Sequence, residues 1–80
     1  MTEREAVETV EGQRAGLEID PEMRLLSGEQ VIVEWKKDRE TPGPTEDRIA
    51  WVLHYACNWG FVEVHVDDAS GKILHIVRSA

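Results

Sequence analysis

The stretch VHVDDASGKILHI, residues 64–76, has the pattern of a β-hairpin, and the rest of the fold can be worked out from it. Apolar and polar residues alternate on both sides of a turn sequence, as they do in strands that bury one face. Gly71 suits the left-handed position of a three-residue loop that ends in a glycine bulge. Such a loop pairs Asp68 with Lys72 and thereby fixes the register of the two strands.

This register assigns each residue of the hairpin to one of two faces. Two apolar cross-strand pairs share the core face: Val66 with Leu74, and Val64 with Ile76. The other face, which we call the open face, carries His65 opposite His75, together with Glu63, Asp67, Ile73 and Val77. The hairpin is thus predicted to cover a core with one side and to leave a mixed, histidine-bearing surface on the other.

The patterns outside the hairpin predict an α+β fold. Thr2 and Glu5 have the spacing of a capping box, and they open an amphipathic helix that reaches about Arg14. Strand patterns cover about residues 30–37, 48–57, 61–67 and 72–78. We therefore expect a single domain, residues 1–80, with the N-terminal helix packed on a four-stranded antiparallel β-meander. An SH3-like barrel is the main alternative, and the helix counts against it.

Two connecting segments complete the predicted organisation. Asp20 is placed as an N-cap, Pro21 as a first helical residue and Gly28 as a stop, which predicts a short helical turn before the first strand. Residues 38–47 combine two prolines and a glycine with several charges, so they are expected to form an exposed loop.

Composition excludes several classes of partner and reaction. The 16 Asp and Glu residues outnumber the 9 Lys and Arg residues, and the formal net charge of −7 repels nucleic acid and anionic membranes. The single cysteine, Cys57, and the lack of a signal-peptide pattern predict a cytoplasmic location. No phosphate loop or nucleophile motif is present, so we expect neither an enzyme nor a bound cofactor.

Three histidines raise the alternative of a metal site. If Trp51 and Tyr55 share the core face, His54 joins the open face and can line up with His65 and His75 across three strands. Imidazole rings beside carboxylates are ligands that zinc and copper accept. Histidine is also common on half-exposed strands, and none of these spacings is a known metal signature, so an ordinary structural role is favoured.

Two aromatic residues near the predicted turn between the second and third strands suggest a contact point. Trp59 and Phe61 flank Gly60 in the sequence NWGF, where a turn would present both rings at the tip of a hairpin. Exposed aromatic rings of this kind often dominate protein interfaces. The alternative, that both rings fold back over the edge of the core, is equally compatible with the sequence.

Parts of the chain resemble the PepSY domain and related small domains. The matching positions lie in the helix, in the second strand and in the closing hairpin: Thr2, Ala6, Val7, Trp51, Val52, Val66, Asp67, Ser70, Gly71, Lys72 and Leu74. The resemblance implies a non-catalytic binding or inhibitory module. PepSY proteins are usually extracytoplasmic, whereas this chain shows no export signal. Small intracellular immunity proteins share the Trp and the closing hairpin pattern and supply a second interpretation.

These observations predict a non-enzymatic module that binds, or inhibits, a protein partner. The residues expected to contact it lie on the open face or at the turn: Trp59, Phe61, His65, Ile73, His75 and Val77. The apolar part of the open face also predicts a homodimer formed by pairing two open faces. In that dimer His65 and His75 would approach their symmetry mates, so acid would favour monomers.

Overall fold

The computed structural model describes residues 1–35 and 43–79 and confirms the α+β meander. Helix α1 spans Glu3–Glu11, and four strands follow it: β1 (Arg24–Trp35), β2 (Glu46–Cys57), β3 (Gly60–Asp67) and β4 (Ile73–Arg78). The strands form one antiparallel sheet in the order β1-β2-β3-β4. In the described ranges no helix has the length and apolar character that crossing a membrane requires.

Helix α1 begins as the capping box predicts. The Thr2 hydroxyl accepts a hydrogen bond from the Glu5 backbone N–H, and the Glu5 carboxylate accepts one from the Thr2 N–H. The helix ends at Glu11, three residues earlier than predicted, because the chain tightens into consecutive turns from Gly12 onward. Ala6 and Val10 are the helix residues that become fully buried against the sheet.

The prediction of a short helical turn from Asp20 to Gly28 is wrong. The Met23 N–H donates to the Asp20 carbonyl, and the Asp20 carboxylate accepts from the Glu22 N–H, so the segment makes one β-turn with Pro21 in its second position. Strand β1 then starts at Arg24, six residues before the predicted start. Asp-Pro begins a turn as readily as a helix, and the pairing with β2 decides between them.

Gly28 lies within β1, opposite Leu53 of β2, where the start of α1 crosses the sheet. A Cβ atom at this position would lie 3.0 Å from a Glu3 carboxylate oxygen and 3.0 Å from a Leu53 methyl group. The glycine therefore permits a close approach between helix and strand instead of ending a helix.

Other strand limits shift by one or two residues. Strand β2 begins at Glu46, so Glu46 and Asp47 belong to the sheet and not to the predicted loop of residues 38–47. Strand β3 begins one residue earlier than predicted and β4 one residue later. Residues 38–42 of the predicted loop, and residues 36 and 37 of the predicted first strand, lie outside the described residues.

The closing hairpin differs from the predicted register near its turn. The Asp67 N–H donates to the Lys72 carbonyl, so a four-residue loop replaces the predicted three-residue one, with Gly71 at a φ of 73° in the left-handed region. Val66 consequently pairs with Ile73, and Leu74 is the extra residue of a β-bulge.

Past the bulge the predicted register returns. His65 lies opposite His75 and Val64 lies opposite Ile76, as expected. The bulge exchanges two neighbouring residues between faces: Ile73 packs against the core, whereas Leu74 lies beside His65 on the open face. The placement of Ile73 on the open face and of Leu74 in the core is therefore wrong.

The core lies between α1 and one face of β2 and β3. Its sheet side includes Val64 and Val66, as predicted, and the residues there that are almost completely excluded from solvent are Leu53, Tyr55, Val62, Val64 and Val66. The helix and the segment after it contribute the other side: Ala6, Val10, Ile19 and Met23. Trp51 packs at the margin of this core and donates its indole N–H to Asp68.

Candidate functional site

The open face of the sheet carries apolar side chains that are half-buried. Alternation along the paired strands brings residues from all four strands to this side, away from α1: Val31, Val33, Trp35, Val52, Phe61, Leu74 and Val77. Strand β1 contributes three of these residues, although the residues that β1 itself places on the core side are mainly polar. The open face is therefore a second apolar surface of the sheet, on the side opposite the core.

The sheet is curved so that its two edge strands approach each other across the open face. Trp35 of β1 and Leu74 of β4 line the same hollow of about 230 Å³, and His65 forms part of its wall. The two edge strands are separated by two other strands in the sheet order, so only curvature can bring their side chains together. The open face is concave at this end.

The three histidines lie on the open face, as predicted, but they form two groups. The rings of His65 and His75 meet edge to face, with their centroids 5.7 Å apart. The His54 ring stacks on Phe61 with a centroid distance of 5.4 Å, and its Nδ1 lies 3.3 Å from a Glu63 carboxylate oxygen. Glu63 thus stands between His54 and His65.

This arrangement gives the metal hypothesis no structural support. Within residues 1–35 and 43–79, no group of three His, Cys, Asp or Glu side chains is arranged to hold a metal ion. Phe61 occupies one side of the His54 ring, and Glu63 already contacts that ring. A metal site at His54, His65 and His75 stays a prediction.

His65 is the histidine whose protonation the fold affects. Burial lowers the pKa of His65 below its usual value, and the neighbouring His75 adds to this effect, while Glu63 opposes it. The His65 Nε2 atom is buried and has no hydrogen-bond partner among the described residues, with the nearest Glu63 oxygen 3.9 Å away. The neutral ring is therefore favoured at this position.

A polar network closes the open face next to the β3–β4 turn. The Asp67 carboxylate is only 1% exposed and accepts hydrogen bonds from the Ser70 backbone N–H and hydroxyl, at 3.0 and 2.6 Å. The Arg48 guanidinium lies 3.2 Å from the same carboxylate. The hydrogen bonds from Ser70, followed by the charge of Arg48, lower the pKa of Asp67. This network fixes the turn and engages the Asp67 carboxylate.

The predicted Trp59–Phe61 contact point is divided between the two sides of the molecule. Phe61 is half-buried against His54 on the open face. Trp59 is 60% exposed and turns toward the segment that follows α1. The two rings therefore belong to different surfaces, and only Trp59 lines a groove that could receive a partner.

This groove, which we call the Trp59 groove, has a volume of about 670 Å³. One wall is the Trp59 side chain, and the other is formed by residues of the turns that connect α1 to β1: Arg14, Ala15, Glu18, Ile19, Asp20 and Pro21. Its lining is mostly apolar, and two acidic residues, Glu18 and Asp20, contribute the anionic groups.

Arg14 holds the groove wall against the core. Its guanidinium donates to the backbone carbonyls of Asp20 and Met23, pairs with the Glu11 carboxylate at 3.2 Å and lies 5.5 Å from the centre of the Tyr55 ring. The Tyr55 hydroxyl donates to Glu11. Burial, together with the Glu11 charge, raises the pKa of Tyr55 to about 12. Arg14 is thus a structural cation whose charge is already matched.

The far end of the groove wall is fastened to β4. The Arg78 guanidinium donates to the carbonyls of Leu17 and Glu18. The Ile19 N–H donates to the Arg14 carbonyl and the Glu18 N–H to the Ala15 carbonyl, which is the hydrogen-bond pattern of a Schellman motif. Glu18 occupies the left-handed position of this motif, with a φ of 57°.

The sequence does not reveal the wall of the Trp59 groove. Its patterns predict Arg14 at the end of the helix and Asp20 and Pro21 in a helical turn. The Schellman motif carries Glu18 where glycine is usual, so its most recognisable sequence signal is missing. The contacts of Arg14 with Met23 and of Arg78 with Leu17 join positions that no local pattern relates.

Comparisons of the chain with protein-family models, curated proteins and solved structures find no significant match. The resemblance to PepSY domains and to immunity proteins consequently stays a prediction.

Proposed function

We propose that this chain is a non-enzymatic protein-binding module that receives a segment of a protein partner in the Trp59 groove. The observation that carries the proposal is the indole of Trp59, 60% exposed beside a largely apolar groove of about 670 Å³. Grooves that bury a peptide or ligand are usually apolar with a few polar groups at defined positions. Binding and inhibition of a partner is also what the PepSY resemblance implies.

Trp59 is suited to anchor such a segment. Tryptophan supplies a large contact area with few rotatable bonds, and it is enriched among the residues that dominate binding energy. Ala15 and Pro21, which are exposed, line the same groove and offer apolar surface for the same occupant. Burying these side chains under a partner would remove apolar area from water, which favours association.

The charge of the groove favours a basic segment. Glu18 and Asp20 contribute carboxylates, while the one cation in the lining, Arg14, is engaged by Glu11 and by backbone carbonyls. The chain as a whole carries a net charge of −7. A Lys or Arg side chain of the partner could lie over the Trp59 ring as a cation–π contact and meet the acidic groups at the same time.

The groove wall is held in place before any partner arrives. Arg14 joins it to the core and Arg78 joins it to β4 through backbone carbonyls. A preformed site loses less conformational entropy on binding than a mobile one, so the same contacts give a higher affinity.

The experiment is a selection of random twelve-residue peptides displayed on phage against the purified full chain. We expect the selected peptides to combine Lys or Arg with an apolar residue. Adding a synthetic selected peptide should shift the NMR signals of the Trp59 indole N–H and of the Ala15 and Glu18 amides. Trp59→Ala should weaken peptide binding by at least about tenfold, as removal of an interface anchor does.

Leu26→Ala is the matched control, because Leu26 is 64% exposed, similar to Trp59, and does not line the groove. This variant should bind the peptides with unchanged affinity. Peptides that bind Trp59→Ala as well as the unmodified chain, or that shift only signals of the open face, would contradict the proposal and move the binding surface to the other side of the sheet.

A further inference from the structure

Strand β1 is an edge of the sheet with an unusually open outer side. It is twelve residues long, and in the described part of the chain its only strand neighbour is β2. Its single register shift lies near its start, between Leu25 and Ser27. From Gln30 to Trp35 it carries neither proline nor lysine, two of the devices with which proteins commonly protect such an edge.

An exposed isoleucine pair lies at the same edge. Ile32 of β1 is 73% exposed, and Ile49, directly opposite it on β2, is 48% exposed. Both residues face the side of the sheet that carries α1, but the helix starts over the Gly28–Leu53 pair, four residues along each strand, and runs away from them toward Tyr55. Among the large exposed hydrophobic residues of the described chain, these two lie directly opposite each other, beside an edge that has no strand neighbour there.

We propose that this protein forms a symmetric homodimer in which β1 pairs antiparallel with β1 of a second copy, about a two-fold axis at Ile32. The axis is perpendicular to the sheet, so each face of one copy continues into the same face of the other. The two four-stranded sheets then become one eight-stranded sheet. This dimer does not depend on the Trp59 groove, which lies away from the β1 edge.

The register follows from the side chains of β1. Pairing about Ile32 places the two copies of this residue opposite each other and creates a row of four isoleucines, Ile49-Ile32-Ile32-Ile49, across the junction. On the other face Val31 lies opposite Val33 of the second copy. Each Ile32 side chain thereby gains a lateral contact with its symmetry mate, and part of the exposed apolar area of both copies is removed from water.

The charged and polar residues of β1 are compatible with the same register. Gln30 faces Glu34 of the second copy and Glu29 faces Trp35, so no carboxylate lies directly opposite another. Pairing about Gln30 would leave Ile32 against Gly28, and pairing about Glu34 would oppose two like charges. Pairing about Val31 or Val33 would place Ile32 against Gln30 or Glu34. Only the axis at Ile32 places Ile32 of one copy opposite Ile32 of the other.

Sedimentation velocity of the full chain over a concentration series tests the proposal. We expect a monomer–dimer equilibrium in which Ile32→Lys weakens dimerisation by at least about tenfold, because it places two ammonium groups on the axis. Leu26→Lys is the matched control, since Leu26 is on the same strand and 64% exposed but lies outside the paired stretch. It should leave the dimer intact. Circular dichroism confirms that each variant folds.

A cross-link tests the register directly. In a chain whose free cysteine has been replaced by Cys57→Ala, Ile32→Cys should form an intermolecular disulfide under mild oxidation, because residues paired on the axis have Cα atoms about 4.5–5.5 Å apart. Ile49→Cys should not cross-link, since three strand spacings, about 14 Å, separate the two copies.

Three results would overturn the proposal. The first is a monomer of 9.1 kDa at several hundred micromolar. The second is a dimer that Ile32→Lys leaves intact but Val77→Glu dissociates, which would indicate pairing through the open faces. The third is equal loss of the dimer in Ile32→Lys and Leu26→Lys, or a cross-link at Ile49→Cys in place of Ile32→Cys.

Discussion

Strands β3 and β1 contain similar residues but have very different environments. In β3 alternate side chains are fully buried, and Val64 and Val66 have no exposed surface. In β1, which is longer by four residues, no side chain is fully buried, although Val31, Ile32 and Val33 follow one another. The central strand β3 has a paired strand on each side and one face in the core, whereas the edge strand β1 has one paired strand and keeps apolar side chains partly exposed on both faces.

This difference in burial separates a strand that stabilises the monomer from a strand that is available for interaction. A strand with one buried and one solvated face contributes to the core of the monomer. A strand that keeps apolar side chains exposed on both faces, and that has no strand neighbour along one edge of the described sheet, leaves surface that the monomer does not cover. We therefore expect substitutions in β3 to unfold the chain and substitutions in β1 to change its association.

The largest expected effect is at the centre of β3. Val64→Ala removes two methyl groups from a fully buried position and should lower the free energy of unfolding by about 2–3 kcal/mol. Ile32→Ala in β1 removes more side-chain atoms from a largely exposed position and should cost less than about 0.5 kcal/mol at concentrations where the chain is monomeric. Urea denaturation measures both. Equal losses would show that β1 belongs to the core.

The next effect concerns the end of β3. Asp67→Asn keeps the shape of the side chain but removes the charge that Ser70 and Arg48 contact, and we expect it to destabilise the fold by about 1–2 kcal/mol at pH 7. The exposed Asp47 is the control, and Asp47→Asn should be nearly neutral.

The effect of pH on this pair of variants has a definite sign. The pKa of Asp67 is lowered in the folded chain, so its contribution is complete above the ordinary value of 3.8 and is lost as the pH falls through the lower folded value. The difference between the unmodified chain and Asp67→Asn should therefore narrow in acid below about pH 4. A difference that grows on acidification would contradict this account of the network.

A stabilising substitution should be available in the segment that leads into β1. Glu18 holds a left-handed conformation that glycine adopts without steric cost, so Glu18→Gly should raise the free energy of unfolding by about 0.5–1 kcal/mol. Glu22→Gly, in the following turn, should bring no gain, because Glu22 does not have a positive φ. Thermal unfolding compares the two. A lower melting temperature for Glu18→Gly would show that its carboxylate has a structural role.

The same contrast explains how much of the fold could be predicted from the sequence. The two faces of β3 follow from strict alternation, which places Val62, Val64 and Val66 on one side, whereas the register with β2 stays open in the sequence because the NWG turn can close this hairpin in more than one way. The helix start follows from Thr2 and Glu5, which lie three residues apart and satisfy each other. The capping box is a local pattern and the alternation is repeated along the strand, so both can be recognised from the sequence alone.

Features set by single long-range contacts could not be predicted. The choice of Asp67 over Asp68 as the end of the hairpin depends on Arg48, which lies nineteen residues earlier in the chain. The Trp59 groove exists because Arg14 and Arg78 fasten backbone carbonyls of a turn segment. The sequence does not show which face of β1 is the more buried. Alternation assigns Ile32 and Val33 to opposite sides but does not indicate which side the helix covers.

The smallest expected effect is the titration of His65, the histidine in the middle of β3. Burial, aided by the nearby His75, lowers the pKa of His65 in the folded chain, so the unfolded chain binds a proton first on acidification. The stabilisation is complete above the ordinary value of 6.5 and declines as the pH falls from 6.5 toward the lower folded value. NMR titration of the ring signals should give a midpoint below 6.5 for His65. In His65→Gln the free energy of unfolding should depend less on pH in this window. A His65 midpoint at or above 6.5 in the unmodified chain would show that Glu63, and not burial, controls the pKa of this ring. A titrating group within β3 should change the stability of the monomer, so a β1-edge dimer should persist at pH 6, where a dimer through the open faces would dissociate.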